Sequence, residues 1–83
     1  MQLQVFTIRD SKSESFGTPF FQKSKGEAIR TLQELTKEQK SLISKYPEDF
    51  DLYYVGQYDD QTGKIQPLDT PQHIEKAISL VTQ

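Results

Sequence analysis

Two alternating runs separated by a short polar loop set the centre of this chain. Residues 51–58 read DLYYVGQY and residues 64–68 read KIQPL, with DDQTG joining them from position 59. Period-two alternation sends successive side chains to opposite faces of a strand. A polar loop ending in glycine between two such runs is a hairpin signal. Gly63 is expected in the left-handed conformation, which costs it no steric clash. Asp59 or Asp60 is expected to accept hydrogen bonds from the turn amides. Simple alternation places Leu52, Tyr54, Gly56 and Tyr58 on one face and Tyr53, Val55 and Gln57 on the other. Pro67 has no amide to donate, so it restricts the third strand to an edge or ends it.

The flanking segments have their own periodicities. Residues 2–9 (QLQVFTIR) alternate and are rich in β-branched and aromatic residues, as a first strand requires. Leu3 and Val5 face one way and Phe6 and Ile8 the other, so both sides are at least partly covered. DSKSESFGTP follows; it is polar, ends in Gly-Thr-Pro, and reads as a mobile loop over about 10–18. Phe16 within it has no obvious core partner. After the apolar PFF at 19–21, Ser24-Lys25-Gly26-Glu27 matches a capping box, with apolar Ala28, Ile29, Leu32 and Leu35 at helical spacing behind it. This helix starts near Lys25. It either runs on to Lys45, where Leu42 and Ile43 continue the stripe, or breaks within the polar residues 36–41. Pro47 ends it, because the residue before a proline is pushed out of the α region. Thr70-Pro71 reads as the start of a last helix, with Ile74, Ala77, Ile78 and Val81 on one face.

The expected order is therefore β-α-β-β-α. It makes an α+β fold, a small three-stranded sheet with two helices on one face. The second face is partly open and carries tyrosines. If the first helix returns the chain parallel to the first strand, the crossover is right-handed.

With 83 residues, the chain is expected to form a single domain, 1–83. A domain this small buries a modest share of its surface. The hydrophobic fraction is 34%, below the usual range, so a partner or a second copy is expected to complete the apolar surface. Self-association through sheet edges is the simplest form of this. There is no cysteine, which excludes disulfides and thiolate zinc sites. No apolar run approaches the ~20 residues of a membrane span, and MQLQVFTIRD lacks the basic and apolar regions of a signal peptide. A small soluble intracellular protein is expected.

No arrangement for catalysis stands out. Glu48, Asp49, Asp51, Asp59 and Asp60 crowd into residues 46–63. Turn acids lack the burial that raises a catalytic carboxyl. DDQTGKIQPLDT lacks the distal Glu of a calcium loop. His73 is the only histidine and lies in the first turn of the expected last helix, at a surface position. There is no Gly-x-Ser-x-Gly elbow and no phosphate loop. No catalytic residue, metal site or cofactor is expected, and the chain is not read as an enzyme.

Charge is the more informative property. The net charge is −2, yet residues 1–45 carry eight Lys/Arg against five Asp/Glu, and residues 46–83 carry two against seven. Arg9, Lys12, Lys23, Lys25 and Arg30 bracket Phe16, Phe20 and Phe21. Single-stranded nucleic acid is typically held by cations along a groove with aromatic platforms for the bases. Tyr53, Tyr54 and Tyr58 could stack similarly, or form an interface. The competing reading places Phe20, Phe21 and one set of tyrosines in the core and leaves Arg30, Lys37 and Lys40 on a solvated helix face.

LQVFTIRDS, PFF, KGEAIR, PEDFDLYYVGQYDDQTG and TPQHIEKAI occur in this order over most of the chain. Together they resemble the small non-structural protein of gokushoviruses, single-stranded DNA phages of the Microviridae. PEDFDLYYVGQYDDQTG is the most specific piece; residues 36–44 are less typical. The resemblance implies a role in viral DNA replication or packaging in the host bacterial cytoplasm. It carries over no functional residues.

Two functions follow as expectations. The first is sequence-tolerant single-stranded DNA binding through phosphate contacts from Arg9, Lys12, Lys23, Lys25 and Arg30, with stacking by Phe16, Phe20 or a tyrosine. The second is an adaptor that docks the phage replication protein or a procapsid component without touching nucleic acid. Tyrosine is enriched at protein interfaces, and the acidic half favours this reading. Convergence of the bases on one face beside an exposed aromatic favours DNA; scatter favours the adaptor.

Overall fold

The computed structural model describes residues 1–81. The fold is α+β, built on an antiparallel sheet. Strand β1 (Gln2–Asp10) lies beside β4 (Phe50–Asp59), which lies beside β5 (Lys64–Lys76). Two short strands, β2 (Ser15–Phe16) and β3 (Phe20–Gln22), pair with the other edge of β1. The sheet therefore has five strands, not three, because the segment after β1 doubles back once and pairs with β1 in two places. Arg9 pairs with Phe16, and Val5 with Phe21. The Thr7 hydroxyl donates to the Gly17 carbonyl at 2.7 Å, and the Gly17 amide donates to the Ile8 carbonyl at 2.8 Å, fixing the link between β2 and β3. The β1–β4 pairing is antiparallel, so the chain makes no parallel crossover between them.

The first helix breaks, and does so in the polar stretch. Helix α1 covers Lys25–Lys37, and a single turn, α2, covers Leu42–Lys45. The Ser24 hydroxyl accepts from the Glu27 amide at 3.2 Å, and Glu27 Oε1 accepts from the Lys23 amide at 3.0 Å. Both halves of the capping box are thus in place, the second one residue earlier than usual. Ser41 caps α2 through the Ile43 amide. Losing an N-cap hydroxyl costs about 1 kcal/mol. Ser24→Ala is therefore expected to lower Tm by roughly 4–8 °C in a domain of this size. A thermal melt followed by circular dichroism checks this.

The C-terminal reading needs the largest correction. Residues 70–76 are strand, and only Ala77–Leu80 coil, as a 3-10 turn. Gly56 pairs with Pro67 and Tyr54 with Gln72, so Leu68, Asp69, Thr70 and Pro71 bulge opposite Val55 alone. Thr70-Pro71 sits in this bulge rather than at a helix start. Pairing along β4 outweighs a local helical pattern because it satisfies a row of backbone groups that the pattern leaves open. A second irregularity makes Ile74 the extra residue between His73 and Glu75, and Ile74 packs on the core. Ile74 and Ala77 thus reach the interior from a strand and a turn.

The core lies between the sheet and the helices. Phe6, Leu32, Leu52, Ala28 and Ala77 are fully buried, joined by Ile43 and Phe50. Ile8, Phe20, Ile29, Leu35 and Tyr54 pack at its margin. Both α1 and α2 cover this one face. Beyond them it turns polar: Gln22, Gln4, Gln57 and Gln66 form a row across β3, β1, β4 and β5.

The hairpin at residues 59–64 matches its sequence signal. Gly63 has φ +76°, its amide donates to the Asp59 carbonyl at 2.7 Å, and Asp59 Oδ1 accepts from the Gln61 amide at 2.9 Å.

Candidate nucleic-acid interface

Residues directly opposite in an antiparallel pair share a face. Thr7 pairs with Tyr53 and Tyr53 with His73; Arg9 pairs with Asp51 and Asp51 with Lys76. These side chains share the side of the sheet away from α1 and α2. Leu3 pairs with Tyr58 and Tyr58 with Ile65, and Val5 with Phe21, on the same open side.

Simple alternation would have put Tyr58 with Tyr54 on the covered face. A bulge prevents this. Val5 pairs with Gly56 while its neighbour Phe6 pairs with Tyr54, leaving Val55 as the extra residue of β4. An extra residue reverses the facing of everything beyond it. Tyr58 therefore joins Tyr53 on the open face, and Tyr54 stays inside. Tyr54 lies against Phe6, with ring centroids 5.5 Å apart.

The open face carries a continuous line of rings. The Arg9 guanidinium carbon stands 5.8 Å from the Phe16 ring centroid. Phe16 meets Tyr53 edge-on at 5.3 Å, and Tyr53 meets His73 edge-on at 5.4 Å. His73 Nε2 lies 3.1 Å from Asp51 Oδ1. A second pair, Phe21 and Tyr58, meets at 5.3 Å, about 13 Å along β1 by strand rise. Phe16 is 46% exposed and Phe21 43%, so ring surface remains available. Contiguous exposed apolar surface is a feature of contact sites.

The charges near this line are few. Arg9 and Lys76 are the cross-strand neighbours of Asp51, and His73 hydrogen-bonds to it. This end of the face thus holds two fixed cations, one carboxylate and an imidazole.

The predicted contact residues do not gather in one place. The open face holds Arg9 and Phe16 among the first-named set, and Tyr53 and Tyr58 among the tyrosines. Phe20 faces the other way and packs on Phe6 with centroids 6.0 Å apart, half-buried. Lys25 Nζ stands 5.6 Å from the Tyr54 ring centroid, on the covered side. Lys23 sits at the entry to α1, and Arg30 is exposed on that helix. Lys12 lines a cleft between the β1–β2 turn and α2, together with Asp10, Glu48 and Asp49.

Sequence reading also passed over contributors. Lys76 and His73 were assigned to a helix, so neither was placed beside Tyr53. Phe21 stands in sequence among the aromatics that the bases bracket, and equally in the core alternative, and is not among the expected stacking residues. The Phe-Phe repeat at 20–21 was the available signal, since a strand must turn two adjacent rings to opposite faces.

Among the described residues, no group of His, Asp and Glu is arranged to hold a metal ion. No helix among them is long and apolar enough to cross a membrane.

Comparison with known proteins identifies the family. The family model described as "Phage ORF5 protein" matches residues 3–80. "Protein ORF5" of Chlamydia phage 1 is 33% identical over 73 residues, covering 83% of this chain and 76% of that protein. No solved structure matches. The resemblance carried by PEDFDLYYVGQYDDQTG and its companions is borne out: the chain belongs to the phage ORF5 protein family, the small gokushovirus proteins of the Microviridae.

Proposed function

We propose that this protein binds single-stranded DNA across its open sheet face, without preference for sequence and without catalysis, in replication or packaging of the phage genome. The line from Arg9 through Phe16 and Tyr53 to His73 carries this reading. Exposed rings offer stacking surfaces that accept any base, each stacked base contributing ~1–3 kcal/mol. Arg9 and Lys76 flank these rings and neutralise phosphates. Lys12, Lys23, Lys25 and Arg30, which looked equally suitable in sequence, have no part in it.

The small cation set gives the proposal a numerical consequence. Each phosphate contact to a single strand adds about −0.7 to the slope of log affinity against log salt, so two contacts give about −1.4. Affinity for oligothymidine is then expected to fall only about sevenfold between 50 and 200 mM salt. Phe16→Ala is expected to weaken binding by about 5- to 150-fold, the equivalent of one lost stack. Lys23→Ala and Arg30→Ala are expected to leave it unchanged. Fluorescence titration of oligothymidine measures all of these, and no binding at low salt would remove the proposal.

A second reading, the protein adaptor, is favoured by the scatter of bases over both sides of the sheet and by the net charge of −2. Co-purification of the phage replication protein or a procapsid component, with no affinity for oligothymidine, would select it. Self-association belongs with either reading. Pro67 and Pro71 blunt the free edge of β5, so pairing there is disfavoured.

A further inference from the structure

The cleft beside α2 lies on the opposite side of the sheet from the Arg9–His73 line and takes no part in the reading above. It is an open groove of about 580 Å³ between Asp10, Lys12, Leu42, Tyr46, Glu48 and Asp49. Phe50, paired with Asp10 and nearly buried, also lines it. The size is that of an ordinary ligand site. The Ser11 amide donates to the Asp49 carbonyl at 2.9 Å, tying the β1–β2 turn to the other wall.

The lining joins exposed apolar side chains to a cluster of carboxylates. Leu42 is 59% exposed and Tyr46 51%, leaving two large apolar side chains in water. Around them stand three carboxylates and one ammonium. Asp10 Oδ1 accepts from the Lys12 amide. Among the described residues no hydrogen bond or ion pair engages the carboxylate of Glu48 or Asp49. Apolar surface rimmed by uncompensated charge is characteristic of a contact with a partner of opposite charge.

We propose that this cleft docks a protein segment in which a large apolar side chain is flanked by Lys or Arg. The apolar side chain packs between Leu42 and Tyr46 against Phe50. The flanking bases lie beside Glu48, Asp49 and Asp10. Nucleic acid is repelled by the same carboxylates, so the sign of the charge selects peptide over DNA. The proposal does not depend on DNA binding: Arg9 and Phe16 are on the other face, and both partners can be held at once.

The test uses the full chain labelled with ¹⁵N and the capped peptide Lys-Arg-Leu-Phe-Lys-Arg as probe. Its acidic counterpart, Glu-Asp-Leu-Phe-Glu-Asp, is the control. The basic peptide is expected to shift the amides of Lys12, Leu42, Tyr46 and Asp49 in a saturable manner, and the acidic one is not. Glu48→Lys combined with Asp49→Lys is expected to weaken binding at least tenfold. Lys12→Glu is expected to strengthen it two- to fivefold, and Leu42→Ala to weaken it severalfold. The last two change exposed side chains, so they keep the test decisive even if the double variant folds poorly. Phe16→Ala is expected to leave peptide binding unchanged, which separates this site from the DNA face. Absence of shifts at millimolar peptide would overturn the proposal. Equal response to the two peptides, or shifts away from the cleft, would do the same.

Discussion

Phe6→Ala is expected to remove about 3–5 kcal/mol of stability, while Phe21→Ala is expected to remove less than about 1.5 kcal/mol. The two rings sit one strand apart, on β1 and β3, and differ in the side of the sheet they face. Phe6 is fully buried and packs with Phe20, Tyr54, Leu32 and Leu52 beneath α1. Its removal leaves a cavity that neighbouring backbone cannot close. Phe21 is 43% exposed and meets only the edge of Tyr58 among the rings. A typical domain has ~5–15 kcal/mol to lose, and a small one sits toward the lower end. Phe6→Ala should therefore unfold a large part of the population in mild denaturant. Urea titration of the two variants checks the contrast. Equal losses would mean that the open face is part of the core and is not available to a ligand.

Gly56→Ala is expected to cost about 3 kcal/mol, lowering Tm by roughly 12–24 °C. The cause is close approach of two backbones. A Cβ at position 56 would lie 2.5 Å from the Gln66 carbonyl oxygen and 3.0 Å from Pro67 Cα. Neither atom belongs to a side chain that can rotate away. Gly56 adjoins Val55, where β4 is out of step with both of its neighbours. Widening the β4–β5 gap at this point would disturb the bulge that turns Tyr58 outward. Gly56→Ala should thus weaken oligothymidine binding as well as stability. By contrast, Gly63 has open space around its Cβ position, and substitution there meets only the strain of its positive φ. A melt of both variants distinguishes the two mechanisms, since a substitution at 63 should leave the ring line intact.

The parts of the fold legible in the sequence are those set by local chemistry. Gly63 with Asp59 dictates a hairpin whatever surrounds it, and Ser24 with Glu27 dictates a helix start. The polar run after α1 admitted a break, and the break is there. The remaining features depend on pairing between distant segments. Ser15–Phe16 and Phe20–Gln22 are too short to show a period, and they become strands only because β1 has a free edge. Residues 70–76 have a plausible cap and helical spacing, yet the unpaired edge of β4 draws them into an extended strand. The single extra residue at Val55 moved Tyr58 from one face to the other, which no count of alternation could foresee.

The same division applies to the candidate site. Arg9 and Phe16 stand together because they are close in sequence and pair across β1 and β2, whereas Tyr53 and Tyr58 reach that face only through the pairing of β4 with β1. Lys76 and His73 were hidden by the misread last element. Lys25 and Arg30 are near Phe16 and Phe20 in sequence, but α1 carries them on the covered side of the sheet, and Lys23 sits at the entry to that helix. Adjacent positions on opposite sides of a sheet share no ligand.

The assignment of DNA to the open face is tested most directly by mapping. The ¹⁵N-labelled protein is titrated with oligothymidine at low salt, and amide and ring shifts are assigned. Saturable shifts are expected at Arg9, Phe16, Tyr53, His73 and Lys76, with Phe21 and Tyr58 following for longer strands and with Lys25 and Arg30 unmoved. Shifts confined to Lys23, Lys25 and Arg30, or none at all, would contradict it.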